Sequence, residues 1–452
     1  MDLPCLNSST TMHQHIDFIS LGCAKNLVDS ERLMYQLHKK GYVVHHDPET
    51  PSSPIVIINT CGFISDAKQE SIDTILNFAQ AKTEGMVKHL YVMGCLSQRY
   101  REELKKEIPE VDAFYGKFDF LDLADRIGAE EESKTAELMP HVSSPTYRRW
   151  LTTPSHYAYV KIAEGCNKRC AYCIIPHITG PQHSRSETDI IQEVQWLVSK
   201  GVKEFQIIAQ DLTSYGTDTT GGCRLPMLID KIAGIPGVEW IRLHYAYPNH
   251  FPWQLLQVMQ QHDNICKYLD VALQHVATPV LKAMHRNITR EETYEFVAKV
   301  RKECPGIQLR TTLMVGFPGE TEEDFRQLLQ FVSDMSFERM GAFAYSEEEG
   351  TYSATHYTDD IPQEVKEQRL QQLMQLQQDI SDDIMHQEVG KIHKVIIDRQ
   401  EGEYYVARNQ FSSPEVDPEI LIPSNDNPLT IGEFYNVRIL QATPFDLYAE
   451  LT

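Results

Sequence analysis

The sequence predicts an α/β protein of three folded parts: an N-terminal doubly wound parallel-sheet domain, a central incomplete TIM-like (βα)6 barrel, and a small C-terminal all-β barrel. Three observations carry this reading. Short apolar strands alternate with helical stretches over residues 16–128. The alternation returns over residues 156–355 as six βα repeats, the pattern of an incomplete barrel. From residue 390 the chain becomes short alternating strands with Gly and Pro turns.

Residues 1–15 carry no Lys or Arg and no apolar core, so they read as a disordered extension and not as a signal peptide. In residues 16–128 the strands are IDFISLGC, PIVIINTC and HLYVMGC, separated by the helical segments DSERLMYQLHKKG and DAKQESIDTILNFAQAKTEG. Each of these strands ends at a cysteine: Cys23, Cys61 and Cys95. Ligands gather at the carboxyl ends of strands in open parallel sheets. Three cysteines at one structural address therefore point to a metal site, against the alternative of three small buried hydrophobes. Residues 129–150 lose hydrophobic periodicity and read as a linker.

The barrel is expected over residues 151–360. Its strands are YAYVKIAEG, EFQIIAQD, WIRLHYAY, YLDVALQ, QLRTTLMVGFPG and RMGAFAYS, with helices such as TREETYEFVAKVRKECPG between them. Residues 361–389 read as a connecting amphipathic helix rich in Gln, and 390–452 as the small β-barrel. Hydrophobic residues make up 42% of the 452. The longest aliphatic run is IVII at 55–58, far short of the ~20 residues of a membrane span. With no signal segment, a reducing cytoplasmic setting is expected, where clustered cysteines bind metal or do catalysis more often than they form disulfides.

Net charge is −22. A field of that sign repels phosphate backbones and favours a basic partner or none, the plain alternative being a solvated acidic surface that aids solubility. Residues 387–452 carry five basic and eleven acidic side chains, 5 − 11 = −6, so direct RNA binding by the tail is disfavoured. The PEVDPE segment, Pro414 to Glu419, concentrates negative charge and reads either as a solvated loop or as a docking face for a basic protein.

The segment KIAEGCNKRCAYCIIPHITG places Cys166, Cys170 and Cys173 in a CxxxCxxC spacing after the first barrel strand, where barrel active sites lie. Iron–sulfur clusters are usually held by four cysteines, so a compact group of three implies a cluster with one open iron. Spacing alone also admits a zinc site with His177, or a redox pair at Cys170 and Cys173.

Together these motifs resemble the methylthiotransferases among the radical S-adenosylmethionine enzymes. SLGCAKNLVDSE, IINTCGF and VMGC are similar to that family's N-terminal domain. IIAQD, ALQHVATPVLKAMHRNITRE, RTTLMVGFPGETEEDF and FAYSEEEGT are similar to its barrel, and the C-terminal strands to its TRAM domain. The resemblance covers nearly the whole chain from Ile16. It implies two 4Fe-4S clusters, one held by the catalytic Cys166, Cys170 and Cys173 with S-adenosylmethionine at its open iron, the other an auxiliary cluster held by Cys23, Cys61 and Cys95. It also implies an electron-donor protein as partner.

One branch of the family modifies an adenosine of tRNA, the other an aspartate β-carbon in the twelfth protein of the small ribosomal subunit. Ala24-Lys25-Asn26 after Cys23 and the acidic tail resemble the ribosomal-protein branch. The tRNA branch, and a non-catalytic zinc-binding ribosome adaptor, stand as alternatives. Thr179 departs from the basic residue usual before Gly180. For the cofactor, Tyr172 is a candidate cover for the adenine, with a core role as the plain alternative. Gln210 and Asp211 are candidates for the ribose or methionine moiety, with a helix cap as the alternative for Asp211. Gly316, Pro318 and Gly319 are candidates for close approach to the nucleoside, with a plain turn as the alternative. Gln274 and His275 are weaker candidates, and Cys5, Cys223, Cys266 and Cys304 are assigned no role.

Overall fold

The computed structural model describes residues 15–129, 147–424 and 428–452. The expected N-terminal extension lies outside these residues except for His15, which opens the first strand. Most of the expected 129–150 linker lies outside them too. The chain divides into two compact units, the boundary falling between Thr152 and Thr153.

In the first unit, β1 (His15–Ser20), β2 (Val43–His46), β3 (Ile55–Thr60), β4 (His89–Gly94) and β5 (Ala113–Phe114) form a parallel sheet of order β2-β1-β3-β4-β5. Strand β3 is buried along its whole length. Its Ile55 and Ile57 enter one core with Phe18, Leu33 and Leu37, while Val56 and Ile58 enter another with Ile75, Val92 and Leu104. Alternation along a strand sends successive side chains to opposite faces, so two apolar faces require helices on both. Two strands escaped the sequence reading: β2 is a four-residue edge strand ending in His45 and His46, and β5 has two residues.

The end of the expected linker is not free chain. Arg149 pairs with the buried Glu31 at 2.8 Å, the Trp150 N–H donates to the Glu31 carbonyl at 2.9 Å, and the Thr152 N–H to its carboxylate at 2.8 Å. A carboxylate buried on the helix Ala24–Lys39 needs a cation, and the chain supplies it from position 149.

The second unit begins with β6 (Tyr157–Lys161) and a small ribbon of β7 (Ala163–Glu164) with β8 (His183–Ser184). Then follow β9 (Glu204–Ile208), β10 (Trp240–Ala246), β11 (Ile265–Gln274), β12 (Gln308–Val315) and β13 (Arg339–Ala344). The six long strands run parallel in the order β13-β12-β11-β10-β9-β6, an open (βα)6 barrel. The helices Arg290–Glu303 and Glu322–Met335 each open with a capping box, Thr289 with Glu292 and Thr321 with Asp324. The helix Gln363–His386 buries Lys366, Arg369, Leu373, Gln377 and Met385. The tail, β14 (Ile392–Glu401), β15 (Tyr404–Asn409), β16 (Ile420–Pro423), β17 (Phe434–Ala442) and β18 (Leu447–Leu451), closes into a barrel around Val395, Ile397, Val437 and Ile439.

The tail closes the amino-terminal mouth of the larger barrel. Glu204, at the start of β9, is fully buried between Arg408 at 2.8 Å and Arg242 at 3.0 Å. Arg408 also binds Asp398, which bonds His156 at 2.8 Å. Trp240 packs edge-on against Phe434 with ring centres 4.9 Å apart. The PEVDPE carboxylates each have a partner within this arrangement. Asp417 is buried and binds Arg310 and the Ser413 N–H; Glu415 accepts from the Tyr157 hydroxyl at 3.0 Å; Glu419 pairs with Arg399 at 2.7 Å. The chain's own cations and hydroxyls occupy the acidic groups of that loop.

Candidate functional site

In the first unit, Cys23 caps the helix Ala24–Lys39, Cys61 directly follows β3, and Cys95 opens the helix Cys95–Glu107 directly after β4. Strands β1, β3 and β4 are neighbours, and Thr60 lies beside Gly94 in the register. The three cysteines thus leave adjacent strands at one edge, as the sequence pattern predicts. The loops that carry them approach too closely for side chains. A Cβ on Gly62 would lie 2.7 Å from the Leu96 nitrogen and 2.8 Å from the Cys95 carbonyl carbon. Gly94 adopts φ +103°, and a Cβ there would lie 2.5 Å from the Thr60 oxygen. Gly62→Ala should therefore push Cys61 and Cys95 apart and roughly halve the iron retained after reconstitution, with far-UV circular dichroism unchanged. Full iron loading would show the loops to be adaptable.

Asn26 ties this edge together. Its amide donates to the carbonyls of Leu21 and Thr60 at 3.2 and 3.0 Å, and its oxygen accepts from the Cys95 thiol at 3.5 Å. Burial pushes the Cys95 thiol up to about 12 against the pull of the buried Lys117, with Cys23 and Cys61 adding to the rise. Burial also raises Cys61. Exposed at its surface, Cys23 goes the other way: burial of its thiol opposes ionisation, but Lys25, Lys117 and backbone N–H groups outweigh it.

In the second unit, Cys166, Cys170 and Cys173 sit in one loop beyond β6 and β7, at the carboxyl end of the sheet, and all three are half-buried. Backbone bonds hold the loop: Ala171 N–H to Met284 O at 3.0 Å, Ser353 N–H to Ala171 O at 2.8 Å, and Cys173 N–H to Cys170 O at 3.1 Å. Burial raises Cys166 to about 11 and Cys173 to about 12, with Cys170 adding to both. His177 is exposed on the short helix Ile175–Thr179. Among the described residues no three His, Cys, Asp or Glu side chains gather around a point where a single metal ion would sit.

The remaining candidates lie at the same end of the sheet, with roles sorted by their contacts. Tyr172 packs against Phe317 within an apolar cluster, and its hydroxyl accepts from Arg286 at 3.4 Å. Asp211 caps the turn Leu212–Ser214, accepting from the Thr213 N–H at 2.9 Å and the Ser214 hydroxyl at 2.5 Å; this is the cap geometry. Gln210 donates to Glu164, and its oxygen is buried without a partner. Gln274, at φ +70°, also buries an unpartnered oxygen.

His275 is a core histidine: its Nδ1 accepts from the Ala277 N–H at 3.0 Å, and its Nε2 lies 3.6 Å from Glu320. Gly316 lends its N–H to Glu320 at 2.6 Å, and a Cβ there would meet the Lys366 stem at 2.4 Å. Its smallness makes room for the Lys366 stem. Pro318 is buried in the same turn, while Gly319 is exposed. Cys266 and Cys304 are buried in the core.

Sequence reasoning missed Arg286, Tyr247 and Lys168. Arg286 is buried, reaches the Cys170 sulfur at 4.0 Å, and stacks on the Tyr247 ring at 4.1 Å. Lys168 lies over the same ring at 4.4 Å. Buried unpartnered atoms on Gln210, Gln274 and Arg286 are what a bound polar cofactor would satisfy, so this edge fits a cluster with S-adenosylmethionine. The first unit fits an auxiliary cluster through its donor set of three thiols.

Comparison with known proteins matches three segments of the chain. Residues 15–116 match "Uncharacterized protein family UPF0004", residues 160–332 the "Radical SAM superfamily", and residues 389–452 the "TRAM domain". The chain is 58% identical over 436 residues to the ribosomal protein uS12 methylthiotransferase RimO of Phocaeicola vulgatus, covering 96% of this chain and 99% of that one. It is 56% identical to the protein of the same name from Parabacteroides distasonis, over 96% and 98%. It is 44% identical to the one from Cytophaga hutchinsonii, over 96% and 97%. Among solved structures, the radical S-adenosylmethionine methyltransferase TsrM from Kitasatospora setae, with cobalamin and a [4Fe-4S] cluster bound, superposes with a TM-score of 0.53 at 16% identity. That match covers 74% of this chain and 75% of that one, and it supports the fold.

Proposed function

The chain belongs to the family of ribosomal protein uS12 methylthiotransferases called RimO, and from that premise we propose that it inserts sulfur and a methyl group at the β-carbon of an aspartate in uS12. The enzyme is a radical S-adenosylmethionine transferase that uses two 4Fe-4S clusters. The observation that carries the reading is the pairing of two three-cysteine edges, Cys23, Cys61 and Cys95 in one unit and Cys166, Cys170 and Cys173 in the other, each at the carboxyl end of a parallel sheet.

Cys166, Cys170 and Cys173 would hold the first cluster, and Cys23, Cys61 and Cys95 the auxiliary one. When bound, these groups and S-adenosylmethionine supply radical hydrogen abstraction and the transfer of sulfur and methyl. The protein's share is orientation and exclusion of water. The backbone bonds of Ala171 fix the cluster loop on the Met284 and Ser353 segments. Tyr172 and Phe317 wall it with apolar surface. Gln210 and Gln274 hold acceptor oxygens ready for donors of the cofactor. Lys25, next to Cys23, favours the thiolate that a metal needs.

A net charge of −22 suits a basic ribosomal protein and opposes a phosphate backbone. Among the described residues no helix is long and apolar enough to cross a membrane. We place the enzyme in the cytoplasm with its ribosomal substrate, supplied by an electron-donor protein.

The test is incubation of reconstituted enzyme with S-adenosylmethionine, a reductant and either uS12 or tRNA, followed by mass spectrometry. A methylthio mass gain on uS12 is expected. Modification of tRNA alone would overturn the assignment, and zinc-only protein that forms no deoxyadenosine would support a ribosome adaptor instead.

A further inference from the structure

Arg286 is 2% exposed, on the segment after the helix Thr278–Ala283. A guanidinium buried that deeply is costly unless an anion faces it. Its partners among the described residues are the Ala272 carbonyl, the Tyr172 hydroxyl at 3.4 Å, the Cys170 sulfur at 4.0 Å and the face of Tyr247. None of these is a carboxylate. Its Nε is buried with no partner. Four other buried arginines contrast with it: Arg149 faces Glu31, Arg242 and Arg408 face Glu204, and Arg369 faces Glu320, while Arg339 bonds the Glu338 carbonyl and lies 3.9 Å from the Met385 sulfur, far from any cluster thiol. The first unit likewise pairs its buried cation, with Lys117 lying 3.2 Å from Asp29. Arg286 thus stands as a buried positive charge with no carboxylate opposite it and a cluster thiol, Cys170, at 4.0 Å.

We propose that Arg286 is the built-in counter-cation of the cluster held by Cys166, Cys170 and Cys173, and that its charge eases addition of one electron to that cluster. This rests on the assignment of those cysteines as cluster ligands. The step adds one electron from a one-electron reductant and makes or breaks no covalent bond. A fixed positive charge beside the cluster stabilises the reduced, more negative state. An arginine guanidinium keeps its charge at any working pH, so this cation is fixed. Lys168, over the opposite partner Tyr247, is paired with Asp211 at 3.6 Å, so it is not equivalent.

The experiment uses the full chain with Cys23, Cys61 and Cys95 replaced by Ala, so that only the barrel cluster assembles. Arg286→Gln and Arg286→Lys are compared with this parent by anaerobic dithionite titration, read by electron paramagnetic resonance without S-adenosylmethionine. Arg286→Gln should lower the ratio of reduced to oxidised cluster at a fixed potential at least about tenfold, about 59 mV for one electron. Arg286→Lys should stay near the parent because it keeps the charge. If Arg286→Gln loads no iron while Arg286→Lys loads fully, the counter-charge role also stands. Equal potentials in iron-loaded parent and Arg286→Gln, or identical defects in both variants, would overturn it. A parent that binds no iron would instead overturn the cluster assignment itself.

Discussion

Replacing Cys166, Cys170 and Cys173 together by Ala should leave a folded protein that holds about four of roughly eight irons and forms no deoxyadenosine. The loop does not depend on its thiols for its shape. Ala171 anchors it through backbone bonds to Met284 and Ser353, and each of the three cysteines keeps some solvent contact. Truncation to Ala therefore removes little buried apolar surface, and the loss should be confined to the cluster. Iron analysis, circular dichroism and detection of deoxyadenosine read the three parts separately. Full iron content, or any deoxyadenosine above the enzyme-free control, would contradict the assignment. The matching triple variant at Cys23, Cys61 and Cys95 should still cleave S-adenosylmethionine but add no sulfur to uS12, since its barrel site is intact.

Arg408→Met should cost about 3–5 kcal/mol, the usual range for breaking a buried ion pair from one side. Arg408 is the hub between the two barrels: fully buried Glu204 and nearly buried Asp398 both lean on it. Burial works against ionisation of each carboxyl, but Arg408 holds both below the usual carboxylate range. A carboxyl depressed in the folded state contributes stability above its unfolded value, near pH 4, and loses it as pH falls through the folded value. The parent is thus expected to weaken in that acid range. In Arg408→Met the same carboxyls are buried without their cation, so the gap between variant and parent should narrow on acidification. Urea unfolding at pH 7 and near pH 3 measures both effects. A difference below about 1 kcal/mol at pH 7 would mean that the network contributes no more than a surface pair does. Glu415→Gln serves as contrast, because Glu415 is exposed and its single bond to Tyr157 should be worth about 1 kcal/mol or less.

The long strands were legible because their signal is local. Apolar runs ending at cysteines, and helices opened by Thr-x-x-Glu or Thr-x-x-Asp, need no knowledge of the rest of the chain. β2 was missed because His45 and His46 break an apolar run on an edge strand, and β5 because two residues carry no period. Glycine in GFPGE reads as a turn residue in any context. Only the fold shows that Gly316 makes room for Lys366, fifty positions on. The PEVDPE loop is hidden from sequence for a related reason: a sequence counts charges but does not show which of them face Arg310, Arg399 or Tyr157.

The chemistry of this protein is written in its sequence, because three thiols within one loop, and one thiol at the end of each of three strands, are properties of short segments and their order. The electrostatic setting of that chemistry is not. Arg286 meets Cys170 across 116 positions of chain, and Arg408 meets Glu204 across 204. Whether a buried charge has a carboxylate, a thiol or nothing opposite it depends on which strands become neighbours, and only the folded chain decides that.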